Sequence, residues 1–473
     1  VAFVIYTCIA VFQYATYKVD TWGLAIFTQA VDGYAHFHAP IVDLKGADYN
    51  LLGDHWHPIL MLLVLPYWIF PSPLTLIIAG IFLMTLSAVP LIRFTKERLG
   101  KKPALFIGIA YLFSFGISKA VIMQFHEVAF ALPICMYALI AWLNKNRKIS
   151  FILMGMLVFV KEDLGATVAL FALITLFLDA YIPGSSLIST IKSVVHNIWK
   201  KPAFYLFIWG IVWFFLTTLV LIPFFNTSSQ YDYTSIKEFP PLNSISDLGD
   251  FFARRWAYAL MLIFIVASAG IWGITSPYIL LTLPILGWRF ISTRAIDYGI
   301  DNHHNSTLMP FVFVALLDVF MHIRKQSENT ASQQTKHKLV KKIRIALYTS
   351  TILALISTFM FTGKMVVMRA PTSTHEYTIV QQWIYTLTDQ GQGHNILTDK
   401  MASTYTLRGN RVFDVSSYDD FTDIDIVAIS PYSYFVAPIQ NNEETIDHWA
   451  QRHFGGSWIT IYDNEGYRIA IKQ

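Results

Sequence analysis

Two aspartates flank a polar stretch near the start of the chain and could act as proton acceptors. Asp20 follows the apolar run Val1–Tyr14, and Asp54 precedes the apolar run Ile59–Phe70. A carboxylate at the edge of an apolar segment is partly desolvated, which makes it a competent general base. We therefore predict a catalytic base at Asp20 or Asp54. The alternative is that each aspartate caps the helix that follows it.

Asp54 also begins the sequence Asp54-His55-Trp56-His57, which offers both carboxylate and imidazole ligands. Such groups suit a divalent metal, with Asp54 and His57 as candidate ligands and His303-His304 completing the set. Ligands this close in sequence rarely surround one ion unaided, so the alternative is that His55 and His57 face a phosphate. A divalent metal cofactor therefore stays an open alternative.

Ionisable residues also occur in two short turns between apolar segments. Charges next to apolar segments are costly, so they are usually paired or functional. We predict that these residues line a substrate pocket, and the alternative for the second turn is a local ion-paired structure. The residues of the two turns are His126, Glu127, Lys161, Glu162 and Asp163.

A third basic group precedes a late apolar segment. It comprises Arg294, His303 and His304, and Arg289 also precedes the segment. Cationic and imidazole groups at the beginning of a helix suit a phosphate or pyrophosphate, so we predict a phosphate-binding role for them. The alternative is a polar helix cap.

The composition indicates what positions these residues. The chain is 55% hydrophobic and only 14% charged, whereas a soluble domain is about 25% charged. So few charges cannot solvate a soluble protein of 473 residues, and we predict that the surplus apolar surface faces lipid. The net charge of +4 does not suggest nucleic-acid binding.

The apolar segments predict an α-helical polytopic membrane protein with roughly ten to eleven spans. They are Val1–Tyr14, Thr75–Phe94, Ala104–Ser118, Val128–Leu143, Ile149–Val160, Leu164–Leu178, Ala203–Phe225, Trp256–Trp272, Tyr278–Trp288, Thr307–His322 and Ile343–Phe361. Ile59–Phe70 is too short to cross and is predicted to be interfacial or re-entrant. Residues 1–363 form the predicted membrane domain.

The basic residues predict the orientation of the spans. Lys and Arg cluster at Arg93–Lys102, Asn144–Lys148, Lys192–Lys201 and His322–Arg344. The spans between these clusters come in pairs, so all four clusters lie on the same side of the membrane. The positive-inside rule identifies that side as the cytoplasm. The loop 322–344 is then cytoplasmic, while the first loop, 17–57, and the site residues are extracytoplasmic.

The tail from residue 364 to 473 differs in kind, because it has mixed charge and no apolar span. Helix Glu376–Leu387, strands Asn395–Leu397 and Asp425–Ser430, helix Glu443–His453 and a final hairpin predict a small extracytoplasmic α/β domain. Segment Gln326–Lys338 is polar and aperiodic, and we predict that it is disordered.

The linked motifs resemble a known family. In order, the chain shows Asp20, IF-x-Q ending at Gln29, H-x-x-P, LP-Y, FPSPL, FHE, KED and a histidine pair. From about Asp20 to Phe320 this order resembles the bacterial predicted-membrane-protein family called domain of unknown function twenty-seventy-nine. The resemblance adds Gln29 to the candidate substrate-binding residues.

That family looks like a distant relative of the GT-C glycosyltransferases. GT-C enzymes have many spans, a long first external loop with a catalytic Asp or Glu, and often a C-terminal extracytoplasmic domain. The resemblance implies transfer of a sugar from a polyprenyl-phosphate donor to an extracytoplasmic glycan, lipid or protein acceptor at the plasma membrane. Arg294, His303 and His304 would then stabilise the leaving phosphate. The rival hypotheses are a transporter or lipid flippase, and a membrane scaffold with an external binding domain.

Overall fold

The protein is described by a computed structural model, and most of the described chain is helical. The described residues are 1–17, 21–232, 245–292, 297, 299–330, 332–368, 374–388, 393–399, 410–416, 423–431, 439 and 441–473.

Nineteen α-helices occur among these residues, and they are numbered here in chain order. They are α1 Ala2–Ala15, α2 Ile26–Ala35, α3 Val64–Ile69, α4 Pro73–Leu86, α5 Ala88–Leu99, α6 Lys101–Leu112, α7 Phe115–Ile122, α8 Ala131–Leu143, α9 Arg147–Gly155, α10 Leu164–Ala180, α11 Leu187–Val195, α12 Pro202–Leu216, α13 Ile222–Phe225, α14 Ile245–Ser268, α15 Leu283–Ile291, α16 Met309–Glu328, α17 Gln333–Met368, α18 Thr374–Thr388 and α19 Ile446–Phe454.

Four helical stretches of the described residues are long and apolar enough to cross a membrane. They are Pro73–Leu99, Pro202–Phe225, His303–Glu328 and Gln333–Thr362. The pair α6 and α7, bent by 43°, adds a fifth if it counts as one span. The predicted ten to eleven spans are therefore not confirmed, because several apolar helices are only 10–17 residues long.

Helix α16 lies at the centre of the bundle. The most apolar part of His303–Glu328 is 89% buried inside the protein, the highest share among the four candidate spans. Its side chains from Phe311 to Leu317 are all fully buried. A helix that is apolar on every face must be surrounded by other helices or by lipid. Here the other helices surround it, so the segment just before α16 is held at a fixed place.

Short 3-10 segments at the ends of helices contain or closely precede several of the predicted site residues. They include Glu127–Phe130, Met156–Phe159 and His303–Leu308. The last of these packs closely against α7, since a Cβ added at Gly116 would lie 2.7 Å from the Asn305 carbonyl carbon. The predicted interfacial run Ile59–Phe70 is made of two short elements, the 3-10 segment Pro58–Leu63 and helix α3. In α3, the side chains of Leu65, Trp68 and Ile69 are exposed.

The small C-terminal sheet that the sequence predicts is present. Its strands are β1 Asn395–Thr398, β2 Arg411–Asp414, β3 Ile426–Ile429, β4 Trp458–Asn464 and β5 Tyr467–Lys472. They are arranged in the order β2-β1-β3-β5-β4. The first three are parallel, while β5 is antiparallel to both β3 and β4. Strand β2 was not predicted, because only two apolar residues lie between Arg411 and Asp414 and they show no alternation.

The prediction of disorder at Gln326–Lys338 is wrong for most of that segment. Helix α16 continues to Glu328, and α17 already begins at Gln333. Lys and Gln are good helix formers, so a polar segment without an apolar stripe can still extend two packed helices. Helix α17 also continues past residue 363 to Met368, so the predicted domain boundary falls inside a helix.

Candidate functional site

The Glu162 carboxylate contacts His55, Trp56 and Tyr231. It lies between the 3-10 segment Met156–Phe159 and α10, and it is buried. One of its oxygens is 2.7 Å from His55 Nδ1 and accepts a hydrogen bond from the Tyr231 hydroxyl at 3.0 Å. The other accepts from the Trp56 backbone N–H at 3.1 Å. Glu162 therefore ties the first loop to the turn before α10.

Its two neighbours in sequence have different partners. The Lys161 ammonium lies 3.1 Å from a Glu127 carboxylate oxygen, and both side chains are almost completely buried. Asp163 Oδ2 accepts a hydrogen bond from the Trp288 indole at 3.0 Å. Asp163 Oδ1 is buried and has no hydrogen-bond partner among the described residues. Of the three, Asp163 thus retains an oxygen that can accept a further hydrogen bond.

Asp54 and His57, both in the first loop, lie in contrasting surroundings. The Asp54 carboxylate is 2.6 Å from the Lys45 ammonium. His57 is 1% exposed, and its ring meets Phe27 edge-on, with 6.0 Å between centroids. Its Nδ1 has no hydrogen-bond partner in the described part of the chain. Asp54 therefore forms an ion pair with Lys45, while His57 Nδ1 can still form a hydrogen bond.

Three histidines form a column beside this cluster. The rings of His126 and His303 are stacked with centroids 3.6 Å apart, and His303 and His304 follow at 4.1 Å. His304 meets the Trp288 ring edge-on at 5.3 Å. Trp288 in turn binds Asp163, so the column and the cluster of charges are continuous.

Burial and neighbouring charges shift the pKa values of groups in the loop and turn. Burial lowers the pKa of His57 to about 4, so this ring is neutral at pH 7. Burial raises the pKa of Asp163 to about 6. Burial also acts to raise the pKa of Asp54, but His55 and Lys45 outweigh it and hold that pKa well below its usual range.

Arg289, the arginine that precedes Arg294 and the histidine pair in the sequence, holds the histidine segment in place. Its side chain is fully buried, and its guanidinium donates to the Asn305 side chain at 3.0 Å and to the backbone oxygens of Asp297 and Gly299. Asn305 belongs to the same 3-10 segment as His303 and His304. Arg289 therefore holds the segment that carries the two histidines.

The structure brings most of the predicted site residues together. Direct contacts or charge interactions connect ten of them into one cluster, drawn from four separate parts of the chain. The members are Asp54, His55, His57, His126, Glu127, Lys161, Glu162, Asp163, His303 and His304. Asp20 and Arg294 lie outside the described residues.

Gln29 lies apart from this cluster and contacts the backbone at both ends of its amide. The nitrogen donates to the Val412 carbonyl at 2.9 Å, and the oxygen accepts from the Leu44 backbone N–H at 3.3 Å. A substrate-binding role for Gln29 stays a prediction.

The metal hypothesis lacks a complete ligand set in the described structure. No group of three or more His, Cys, Asp or Glu side chains is placed to hold a metal ion among the described residues. The candidate ligand Asp54 is paired with Lys45 instead. No step of a reaction is therefore assigned to a metal.

The fold is similar to that of the solved structure of ArnT. ArnT from Cupriavidus metallidurans, in a structure bound to undecaprenyl phosphate, matches with a TM-score of 0.50 and 12% identity, covering 99% of this chain and 97% of that one. An oligosaccharyltransferase from Archaeoglobus fulgidus, in complex with Zn and sulfate, matches with a TM-score of 0.40 and 13% identity, covering 99% of this chain and 72% of that one.

Sequence comparison gives a more direct relationship. No curated protein matches the chain. A family model with the description "predicted membrane protein (DUF2079)" matches residues 13–390, which is most of the chain. The protein therefore belongs to this family of membrane proteins, the one that its linked motifs resemble.

Proposed function

We propose that the protein is a membrane glycosyltransferase that moves a sugar from a polyprenyl-phosphate donor to an extracytoplasmic acceptor. The observation that carries this proposal is the buried cluster of charged and imidazole groups around Glu162, at the ends of helices in a fold like that of ArnT. ArnT was solved with undecaprenyl phosphate, which supports a lipid-linked phosphate as the donor class.

The chemistry of such a transfer requires the groups that the cluster contains. An acceptor hydroxyl attacks the anomeric carbon, the bond to the phosphate oxygen breaks, and a base takes the hydroxyl proton. Negative charge grows on the departing phosphate, and fixed cations or N–H donors stabilise it. Lys161 and the column of His126, His303 and His304 are the proposed partners of that phosphate. Asp20 is the proposed proton acceptor, and Asp54 is the alternative.

The sidedness of the membrane is part of the proposal. Basic clusters between apolar segments support a cytoplasmic position for Lys336, and place Asp399 and the site outside the plasma membrane. We expect a cysteine introduced at residue 399 to react with a membrane-impermeant maleimide in intact cells, and one at residue 336 to react only after lysis. The Cys8→Ser/Cys135→Ala background removes the native thiols. The reverse labelling would contradict the proposed orientation.

Donor turnover tests the activity directly. We expect protein in liposomes to release radiolabelled sugar from undecaprenyl-phosphate hexose or pentose when membrane lipids or glycans are supplied as acceptors. Asp20→Asn keeps the size of the side chain but removes the proton acceptor, and a positioned base contributes about 10²–10⁴-fold in rate. We expect this variant to lose transfer and retain its fold, while Asp54→Asn, whose carboxylate already pairs with Lys45, loses less.

Two outcomes of the same assay would contradict parts of the proposal. Full transfer by Asp20→Asn with loss in Asp54→Asn would assign the base to Asp54. Full transfer by both variants, or movement of the lipid across the bilayer without loss of label, would reject the transferase and favour a flippase.

A further inference from the structure

Each residue of a three-residue turn in the first loop contacts another part of the chain. The turn is the 3-10 segment Asp43–Lys45, at the tip of a compact loop that an Ile41–Asn50 bridge closes. Asp43 and Leu44 are buried although they lie in a loop. Burial of a carboxylate is costly unless it is paired, so the partners of this turn are informative.

The C-terminal domain supplies the partner of Asp43. Arg411, in strand β2, donates from Nε to Asp43 Oδ2 at 2.8 Å and from Nη2 to Asp43 Oδ1. A guanidinium that meets both oxygens of a carboxylate fixes direction as well as distance. The same Nη2 lies 2.8 Å from Asp48 Oδ1 in the same loop.

The other two residues of the turn are held in different ways. Gln29 joins the middle residue to the same strand, since it accepts from Leu44 N–H and donates to the Val412 carbonyl. Lys45, at the end of the turn, lies 2.6 Å from Asp54. Asp54 directly precedes His55, whose ring nitrogen lies 2.7 Å from Glu162. The contacts therefore continue from strand β2 to the charged cluster without a break.

We propose that Arg411 is a positioning residue, through which the C-terminal domain sets the place of the Lys45–Asp54 pair at the site. This inference rests on the proposed function only for its effect on turnover. The physical coupling stands on the contacts themselves. Because a small displacement of a reacting group costs up to about a hundredfold in rate, a loosened turn lowers turnover without any lost substrate contact.

Hydrogen exchange tests the coupling without a substrate. In purified protein in nanodiscs, we expect Arg411→Ala to speed exchange of the amides in 40–54 about five- to tenfold, with α10 unchanged, because local opening becomes easier. Arg411→Lys keeps the charge but not the paired geometry, so we expect an intermediate effect. The matched control is Arg452→Ala, which breaks the exposed Arg452–Glu444 pair within the same domain.

The turnover assay then tests the consequence for the site. With the radiolabelled undecaprenyl-phosphate sugar as probe, we expect Arg411→Ala to lower kcat about tenfold while KM changes less than twofold. Unchanged exchange in 40–54, or an equal effect of Arg452→Ala, would overturn the positioning role. Faster exchange with unchanged kcat would also overturn it. Absence of transfer by the unmodified protein would reject the proposed function, while the exchange result would still decide the coupling.

Discussion

Replacing Lys161 with methionine should destabilise the protein more than any other single loss of charge in the site. Methionine keeps the length of the side chain but leaves the Glu127 carboxylate buried without its cation. Breaking a buried ion pair by removing one partner costs about 3–5 kcal/mol. We expect a correspondingly large fall in the Tm of the purified protein, measured by thermal unfolding in one detergent.

Two matched variants show whether burial is the cause. Arg147 and Asp179 form a well-aligned but exposed pair at 2.6 Å, and Arg147→Met should cost only about 0–1 kcal/mol. The double variant Lys161→Met/Glu127→Leu removes both charges, so we expect it to recover much of the lost stability. A Lys161→Met protein as stable as Arg147→Met would contradict the buried pair.

Gly116→Ala should disturb the site from a position outside it. The added Cβ would lie 2.7 Å from the Asn305 carbonyl carbon and 2.9 Å from Met309 Cγ, closer than real Cβ atoms approach. The nearest neighbour is backbone, which cannot rotate away, and overpacking typically costs about 1–3 kcal/mol. Because Asn305 also binds Arg289 and belongs to the segment with His303, we expect both Tm and sugar transfer to fall.

Gly287→Ala is the matched control for this substitution. Gly287 lies in α15, and an added Cβ meets no atom within 4 Å. Alanine favours a helix over glycine by about 0.8–1.0 kcal/mol, so we expect Gly287→Ala to be neutral or stabilising. If Gly116→Ala is equally harmless, the close approach of α7 to the histidine segment is wrong.

The convergence of the site was predictable because span parity limits where loops can meet. Glu127, Glu162 and His303 lie far apart in sequence, yet each follows or precedes an apolar segment on the same predicted side. Charges at such boundaries need partners, and in the structure these charged residues pair with one another. The sequence therefore indicated which residues would gather, but not which carboxylate would meet which cation.

The partners of Lys45 and Arg411 could not be predicted, because no local sequence pattern reveals a contact between distant residues. Lys45 and Arg411 lie in polar stretches with no motif around them, so nothing marked them as partners of Asp54 and Asp43. Short strand β2 has no clear alternation, and without it the position of Arg411 cannot be inferred. The number of spans was also beyond the sequence, because apolar length alone does not distinguish a crossing helix from a short buried one.

The Arg411–Asp43 contact joins residues 368 positions apart. A ribosome adds Arg411 long after Asp43, so the first loop is made well before its partner exists. A chain interrupted before β2 would retain all the long apolar helices yet leave a buried carboxylate without its guanidinium. A product that lacks β2 therefore differs from one that contains it at the very loop that adjoins the charged cluster.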